Sequence, residues 1–263
     1  MKYKKIHRNV QVVCLKAGEI ALQHQRDGLQ VNRKHDGDDA TAVVTAADIA
    51  VDTLLRETLT KQYPDFGWLS EETADNTERL DKEFVWVVDP IDGTGSYIKG
   101  NDYYAISVGL VRNGVPVLGV VFNPARRELF SAYTGGGAML NGQYAFRNFP
   151  ATLANATCLV SINETAKGAW DPYKDLVNTK GVDSIAYKLA AAATTSLGDA
   201  VVTLQPKNEY DICAGHAICN SIGLIVTDIQ GNPIPYNKPN LEAPAIIAAP
   251  DGLHQELLAV LNS

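Results

Sequence analysis

Two aspartates, Asp89 and Asp92, stand three positions apart with Pro90 and Ile91 between them, and Gly93 and Thr94 follow directly. Two carboxylates and the intervening Ile91 carbonyl are hard oxygen donors, the set that Mg²⁺ and Ca²⁺ take in preference to zinc or copper. A solvated Asp-Gly turn has the same composition, so this stretch alone leaves both readings open. Further acids stand at the ends of apolar runs: Asp48, the adjacent pair Glu71 and Glu72, and Asp211. Each has a structural explanation of its own. Asp48 falls in the first turn of a helical pattern, where a carboxylate complements the helix dipole. Glu71 and Glu72 can be solvated loop acids. In a strand, neighbouring side chains point to opposite faces, so at most one of the pair enters a given pocket. Asp211 suits a helix N-cap. Taken together, Asp48, Glu71, Asp89, Asp92 and Asp211 occupy positions from which side chains can converge.

The element that must hold Asp89 and Asp92 is Phe84-Val85-Trp86-Val87-Val88, five apolar strand formers that suit a strand buried on both faces. Pro90 has no N–H, so regular pairing is expected to stop there. The polar cluster then lies just past the end of a core strand, where sheet proteins commonly bind ligands. Ahead of it, Ile6, Val10, Val13, Cys14, Ala17, Ile20 and Ala21 recur at helical spacing and predict a first helix ending near Gly28. Residues 33–41 are polar around a central glycine and predict a loop, with His35 solvated there rather than ligating a metal. A second helix spans about 45–63, with Asp48 in its first turn and Pro64 as its stop.

Downstream, a meander is expected from Tyr104, because Asn113-Gly114 lies between two apolar runs and Glu128 to Tyr133 adds a third. Gly135-Gly136-Gly137 lacks the spacing and the following helix of a dinucleotide or P-loop site. Strands are expected over 159–162, 200–204, 224–226 and 245–249, and helices over 184–197, from Tyr210 with Asp211 at its start, and over 253–261. The irregular residues 143–157 mark a boundary between an N-terminal α+β half, 1–150, and a C-terminal α/β half, 151–263. Chain order alone indicates mixed α and β structure with a central meander.

The chain has 263 residues, 46% of them hydrophobic and 20% charged, enough for one large core or two joined ones. A net charge of −7 argues against a nucleic-acid polymer or an anionic membrane as main partner. It does not argue against a small phosphorylated ligand, because bound cations supply positive charge locally. Cys14, Cys158, Cys213 and Cys219 are scattered without a Cys-x-x-Cys pair and read as buried thiols in a reducing compartment. Neither a signal peptide nor a membrane span is legible, and a cytoplasmic location is the expectation.

The acids in their order resemble the inositol monophosphatase superfamily of metal-dependent phosphatases. The matching residues are Glu71-Glu72, then Asp89-Pro90-Ile91-Asp92-Gly93-Thr94, then Tyr210-Asp211-Ile212-Cys213-Ala214-Gly215, with Val44-Thr45-Ala46-Ala47-Asp48 matching the segment that opens a helix. The one departure is Tyr210, where the family usually has Trp. The resemblance implies an α+β fold, a layered α/β/α/β/α sandwich with mostly antiparallel sheets (the inositol monophosphatase-like, sugar phosphatase fold), often assembled as a homodimer. It implies two or three Mg²⁺ ions per active site. Glu71, Asp89 and the Ile91 carbonyl would hold one, Asp89, Asp92 and Asp211 a second, and Glu71 would touch a weaker third. Glu71 and the Thr94 hydroxyl, polarised by Asp48, would activate the attacking water. Gly93 and Thr94 N–H groups would receive the phosphate, with Asp92 and Asp211 also on the substrate side. The N-terminal half would carry most of the metal ligands, and the C-terminal half would supply Asp211 and substrate-side contacts. Lithium inhibition is implied too. The chemistry agrees, since phosphoryl transfer needs charge neutralisation and in-line positioning more than a covalent nucleophile.

Substrate choice rests on finer detail. Tyr97-Ile98-Lys99-Gly100-Asn101 and Leu69-Ser70-Glu71-Glu72 look more like the 3′(2′),5′-bisphosphate nucleotidase branch than the inositol branch. Seven positions before Asp211, where inositol enzymes often carry a glutamate for ring hydroxyls, this chain has Leu204. Lys207 is either a solvated lysine or a partner for a second phosphate. The expected activity is hydrolysis of adenosine 3′,5′-bisphosphate, with inositol-1-monophosphatase or fructose-1,6-bisphosphatase-like activity as the alternative. A non-catalytic regulatory protein that binds metal or phosphate is the reading from a different class, and its mark, a broken ligand set, is not present.

Overall fold

In this computed structural model, residues 2–29, 31–33 and 43–263 are described. The apolar stripe of the first helix, α1 (Lys2–Asp27), is buried through Ile6, Val10, Val13, Cys14, Ala17 and Ala21. A short antiparallel pair, β1 (Val31–Arg33) and β2 (Val43–Thr45), leads into α2 (Ala46–Gln62). Thr45 caps α2: its hydroxyl accepts from the N–H groups of Ala47 and Asp48, while Asp48 accepts from the Thr45 N–H. Such reciprocal capping stabilises a helix start by about 1 kcal/mol. It also turns the Asp48 carboxylate back toward the helix entrance. Arg33 ends a strand rather than opening a loop. His35 and the rest of the expected loop lie outside the described residues.

A seven-stranded sheet follows, formed in chain order by β3 (Gly67–Ser70), β4 (Phe84–Asp92), β5 (Ala105–Arg112), β6 (Val115–Asn123), β7 (Glu128–Tyr133), β8 (Gly137–Leu140) and β9 (Gln143–Tyr144). Only β3 and β4 pair in parallel; the other neighbours are antiparallel. The turn between β5 and β6 is the expected Asn113-Gly114, both at positive φ. A short helix, α3 (Thr94–Ile98), begins two residues after Asp92.

All nine residues of β4 are buried. Trp86 and Val88 pack with α1 and α2 on one face, and Val85 and Val87 pack toward the C-terminal helices on the other. That double burial explains an uninterrupted apolar run in place of alternation. Pairing does not stop at Pro90 as expected. Asp89 pairs with Ser107 and Asp92 with Ala105, so three steps on β4 oppose two on β5. This bulge passes the proline, which has no N–H to contribute to the ladder.

The second sheet contains β10 (Thr157–Val160), β11 (Asn178–Gly181), β12 (Ala200–Val202), β14 (Ile225–Asp228) and β16 (Ile246–Ala249), in the spatial order β11-β10-β12-β16-β14. A small pair, β13 (Lys207–Asn208) with β15 (Glu242–Ala243), stands apart. Helices α4 (Ile162–Ala166), α5 (Ile185–Thr194), α6 (Glu209–Asn220) and α7 (Asp251–Leu261) complete the chain. Two expectations change here. The strand after residue 157 ends at Val160, because Asn163 and Glu164 belong to α4. Helix α6 begins one residue earlier than expected, so Asp211 is its third residue and not its cap. The core clusters give five layers: α1–α2, the large sheet, α5–α6, the small sheet, α7. The α+β sandwich with mostly antiparallel strands is therefore the architecture observed.

Candidate active site

Asp89 and Asp92 are three positions apart, and in a regular strand that odd spacing would send them to opposite faces. The bulge at Pro90-Ile91 removes the conflict and brings both to one side. Asp211 reaches the same place from the first turn of α6, where its carboxylate accepts from the Asn208 N–H at 2.7 Å. Oxygens of Asp89, Asp92 and Asp211 all lie within 4.8 Å of one another. Each acid is held from outside as well. Asp89 accepts from the Ile91 N–H at 3.0 Å. Asp92 accepts from the Ser184 hydroxyl and the Ala186 N–H, both at 2.6 Å, at the start of α5. Ser184 has φ 59°, a costly backbone conformation for serine that the Asp92 contact helps to hold.

Concentrated negative charge shows in the acidities. Burial lifts Asp89 well above the carboxylate range, and Glu71, Asp92, Asp211 and Asp48 push the same way. Asp211 is raised to about 8, first by burial and then by Asp92. Asp92 is raised to about 6 by burial, against the bonds from Ser184 and Ala186 and the nearby Lys188. Glu71 lies outside the tight triad, but its charge acts on Asp48, Asp89, Asp92 and Asp211. Its backbone continues the β3–β4 ladder through an N–H to the Val88 carbonyl at 3.2 Å.

Asp48 is fully buried, and its other oxygen lies 3.3 Å from the Thr94 hydroxyl. That hydroxyl also reaches the Ile91 carbonyl at 3.0 Å. A hydroxyl has one hydrogen, so Thr94 chooses between the two acceptors. Gly93 precedes it at φ 91°, and an added Cβ would stand 3.1 Å from the Tyr103 carbonyl, so only glycine fits the turn. At the start of α3 the first N–H groups have no intrahelical acceptor.

Beside the acids lies a cavity of about 270 Å³ lined by Asp92, Gly93, Ser96, Lys99, Lys188, Lys207 and Asp211 among others. Lys188 is only 2% exposed, and its ammonium makes no hydrogen bond or ion pair among the described residues. Burial lowers its pKa to about 8, which nearby Asp92 partly opposes. An all-oxygen donor set with mutually repelling carboxylates fits a hard divalent cation, which would relieve that repulsion. An anion would then find both the cation and the lysines.

Asp52, Ser184 and Lys188 escaped the sequence reading. Asp52 follows Asp48 by one helical turn, Ser184 immediately precedes an apolar helix, and Lys188 is the one charged residue within α5. Those were the available signals.

Residues 4–263 match the Inositol monophosphatase family. The inositol-1-monophosphatase of Rhizobium meliloti is 31% identical over 242 residues, covering 89% of this chain and 86% of that protein. The Nus factor SuhB of Escherichia coli strain K12 is 30% identical over 228 residues, covering 82% of each. Among solved structures, an IMPase of Thermotoga maritima superposes with a TM-score of 0.83 at 26% identity, covering 100% of this chain and 97% of the other.

Proposed function

The chain belongs to the inositol monophosphatase family and is a metal-dependent phosphomonoesterase; from that premise we propose that its substrate is a small phosphate ester with a second anionic group, represented by adenosine 3′,5′-bisphosphate. The observation that carries this reading is Lys188, buried beside the acids without a partner among the described residues. Lys99 and Lys207 line the same cavity. A buried ammonium is unfavourable until an anion meets it. Leu204 stands where a polyol-binding glutamate would be expected, which weakens the case for an uncharged ring.

In this reading Glu71, Asp89 and the Ile91 carbonyl would hold one Mg²⁺, and Asp89, Asp92 and Asp211 would hold another. When bound, the ions neutralise phosphoryl oxygens and acidify water. Thr94, donating to Asp48, leaves its oxygen lone pairs to accept a hydrogen bond from the attacking water. Asp48, its pKa raised by burial, is a better proton acceptor than an exposed aspartate. Gly93 lets a phosphate approach the backbone N–H groups at the start of α3. A homodimer, a cytoplasmic location and independence from nucleic-acid polymers complete the proposal.

A second reading is inositol 1-phosphate, which the name of the Rhizobium relative supports at least as strongly. The test compares Mg²⁺-dependent phosphate release from adenosine 3′,5′-bisphosphate, inositol 1-phosphate and fructose 1,6-bisphosphate, with and without Li⁺. The bisphosphate nucleotide should show the highest kcat/KM. Lys188→Met should raise its KM about tenfold, as expected for losing a charged hydrogen bond, and leave inositol 1-phosphate within about twofold. Preference for inositol 1-phosphate with no effect of Lys188→Met would overturn the substrate assignment. No hydrolysis of any ester would favour a non-catalytic regulatory role.

A further inference from the structure

Helix α2 carries a second buried carboxylate one turn beyond Asp48. One oxygen of Asp52 accepts the Ser70 hydroxyl at 2.5 Å, and the other accepts the Thr73 hydroxyl at 2.6 Å. Those hydroxyls flank Glu71 and Glu72 on either side. The chain from 71 to 73 forms no helix or strand, and the Glu71 N–H adds a backbone rung to the Val88 carbonyl at the end of the ladder. The Val88 carbonyl and the two oxygens of Asp52 thus hold the backbone on both sides of the acidic pair. Burying a carboxylate is unfavourable, and bonds from two neutral hydroxyls offset that only in part. A bridge of this kind is poor packing but good geometry, because it sets the span between residues 70 and 73.

We propose that Asp52 is a positioning residue that clamps Ser70 and Thr73 so that Glu71 meets the metal centre in the correct place. Asp52 is not among the acids that cluster there, Asp89, Asp92 and Asp211. It acts through Glu71, whose charge is felt at all three and at Asp48. The proposal rests on Glu71 serving as a metal ligand, as assigned in the preceding reading.

The test is the Mg²⁺ concentration that gives half of the maximal rise in Tm, measured beside the Mg²⁺ dependence of hydrolysis. Asp52→Ala should raise that concentration about tenfold, the usual consequence of removing a group that orients a ligand. KM for substrate at saturating Mg²⁺ should stay within about twofold. Asp52→Asn can accept from one hydroxyl and donate to the other, so it should recover to within about threefold of the wild type. Thr73→Val removes one bridge at a half-buried site and should give about a threefold increase, which decides the matter if Asp52→Ala does not fold. A wild-type Mg²⁺ response in Thr73→Val and Asp52→Ala overturns the clamp. So does an Asp52→Asn as defective as the alanine variant. If the wild type itself gains no Tm from Mg²⁺, the metal reading fails and the clamp falls with it; a normal wild-type response with unaltered variants removes the clamp alone.

Discussion

Asp92 is the residue on which chemistry and structure meet most directly. One of its oxygens receives two hydrogen bonds from α5, so the group is oriented whether or not it is charged. Asparagine in its place can still accept from the Ala186 N–H, and the Ser184 hydroxyl can reorient. Asp92→Asn should therefore keep the fold while removing one of three converging charges. We expect hydrolysis at saturating Mg²⁺ to fall by at least about a hundredfold, with a Tm close to that of the wild type. Wild-type turnover in this variant, measured on its best substrate, would contradict the assignment of Asp92 to the metal.

At the scale of elements, Asp211 depends on how deeply α6 sits against the large sheet. Gly109 on β5 and Gly119 on β6 are paired across the ladder and together form a dent beneath Cys213 and Ala214. An added Cβ at Gly119 would stand 2.1 Å from the Ala214 carbonyl oxygen, a backbone atom that cannot turn aside. Gly119→Ala should push α6 outward and destabilise the protein by about 1–3 kcal/mol. Because Asp211 lies only three residues before Ala214, Mg²⁺ should also bind more weakly. Chemical denaturation and Mg²⁺ titration of this variant check both effects, and a wild-type Mg²⁺ affinity would separate the depth of α6 from the site.

The whole molecule pays for its acidic centre in a way that pH should reveal. Asp92 is raised to about 6 and Asp211 to about 8, whereas an unfolded aspartate titrates near about 3.9. Between those limits these two carboxylates bind more protons in the folded protein than in the unfolded chain. Stability of the metal-free protein should therefore fall as pH rises through that window. Mg²⁺ competes with the same protons, so its stabilisation should grow with pH. In EDTA the Tm should be lower at about pH 8 than at about pH 5.5, and added Mg²⁺ should raise it more at the higher pH. An equal Mg²⁺ increment at both values would show that the carboxylates do not titrate as a group around the ion.

The acids were legible in the sequence because their placement follows local rules. A buried strand ends in polar residues, a threonine caps a helix three residues before Asp48, and a polar stretch opens α6 beside Asp211. The family motif then joined them in order, and the five-layer fold followed from it. Local rules failed at Pro90, where the missing N–H predicted an end to pairing. Strand β5 continues past it, and a bulge was the outcome that kept both partners in register. Asp52, Ser184 and Lys188 were illegible for a related reason. Ser70 is 18 residues from Asp52 and Ser184 is 92 from Asp92, so nothing in either neighbourhood announces the contact. Types and order of the ligands are properties of the chain, written in residues that neighbour one another. Which carboxylates share one face, which hydroxyls clamp them and which lysine lies buried with no side-chain partner among the described residues depend on packing between distant elements, and only the tertiary structure decided them.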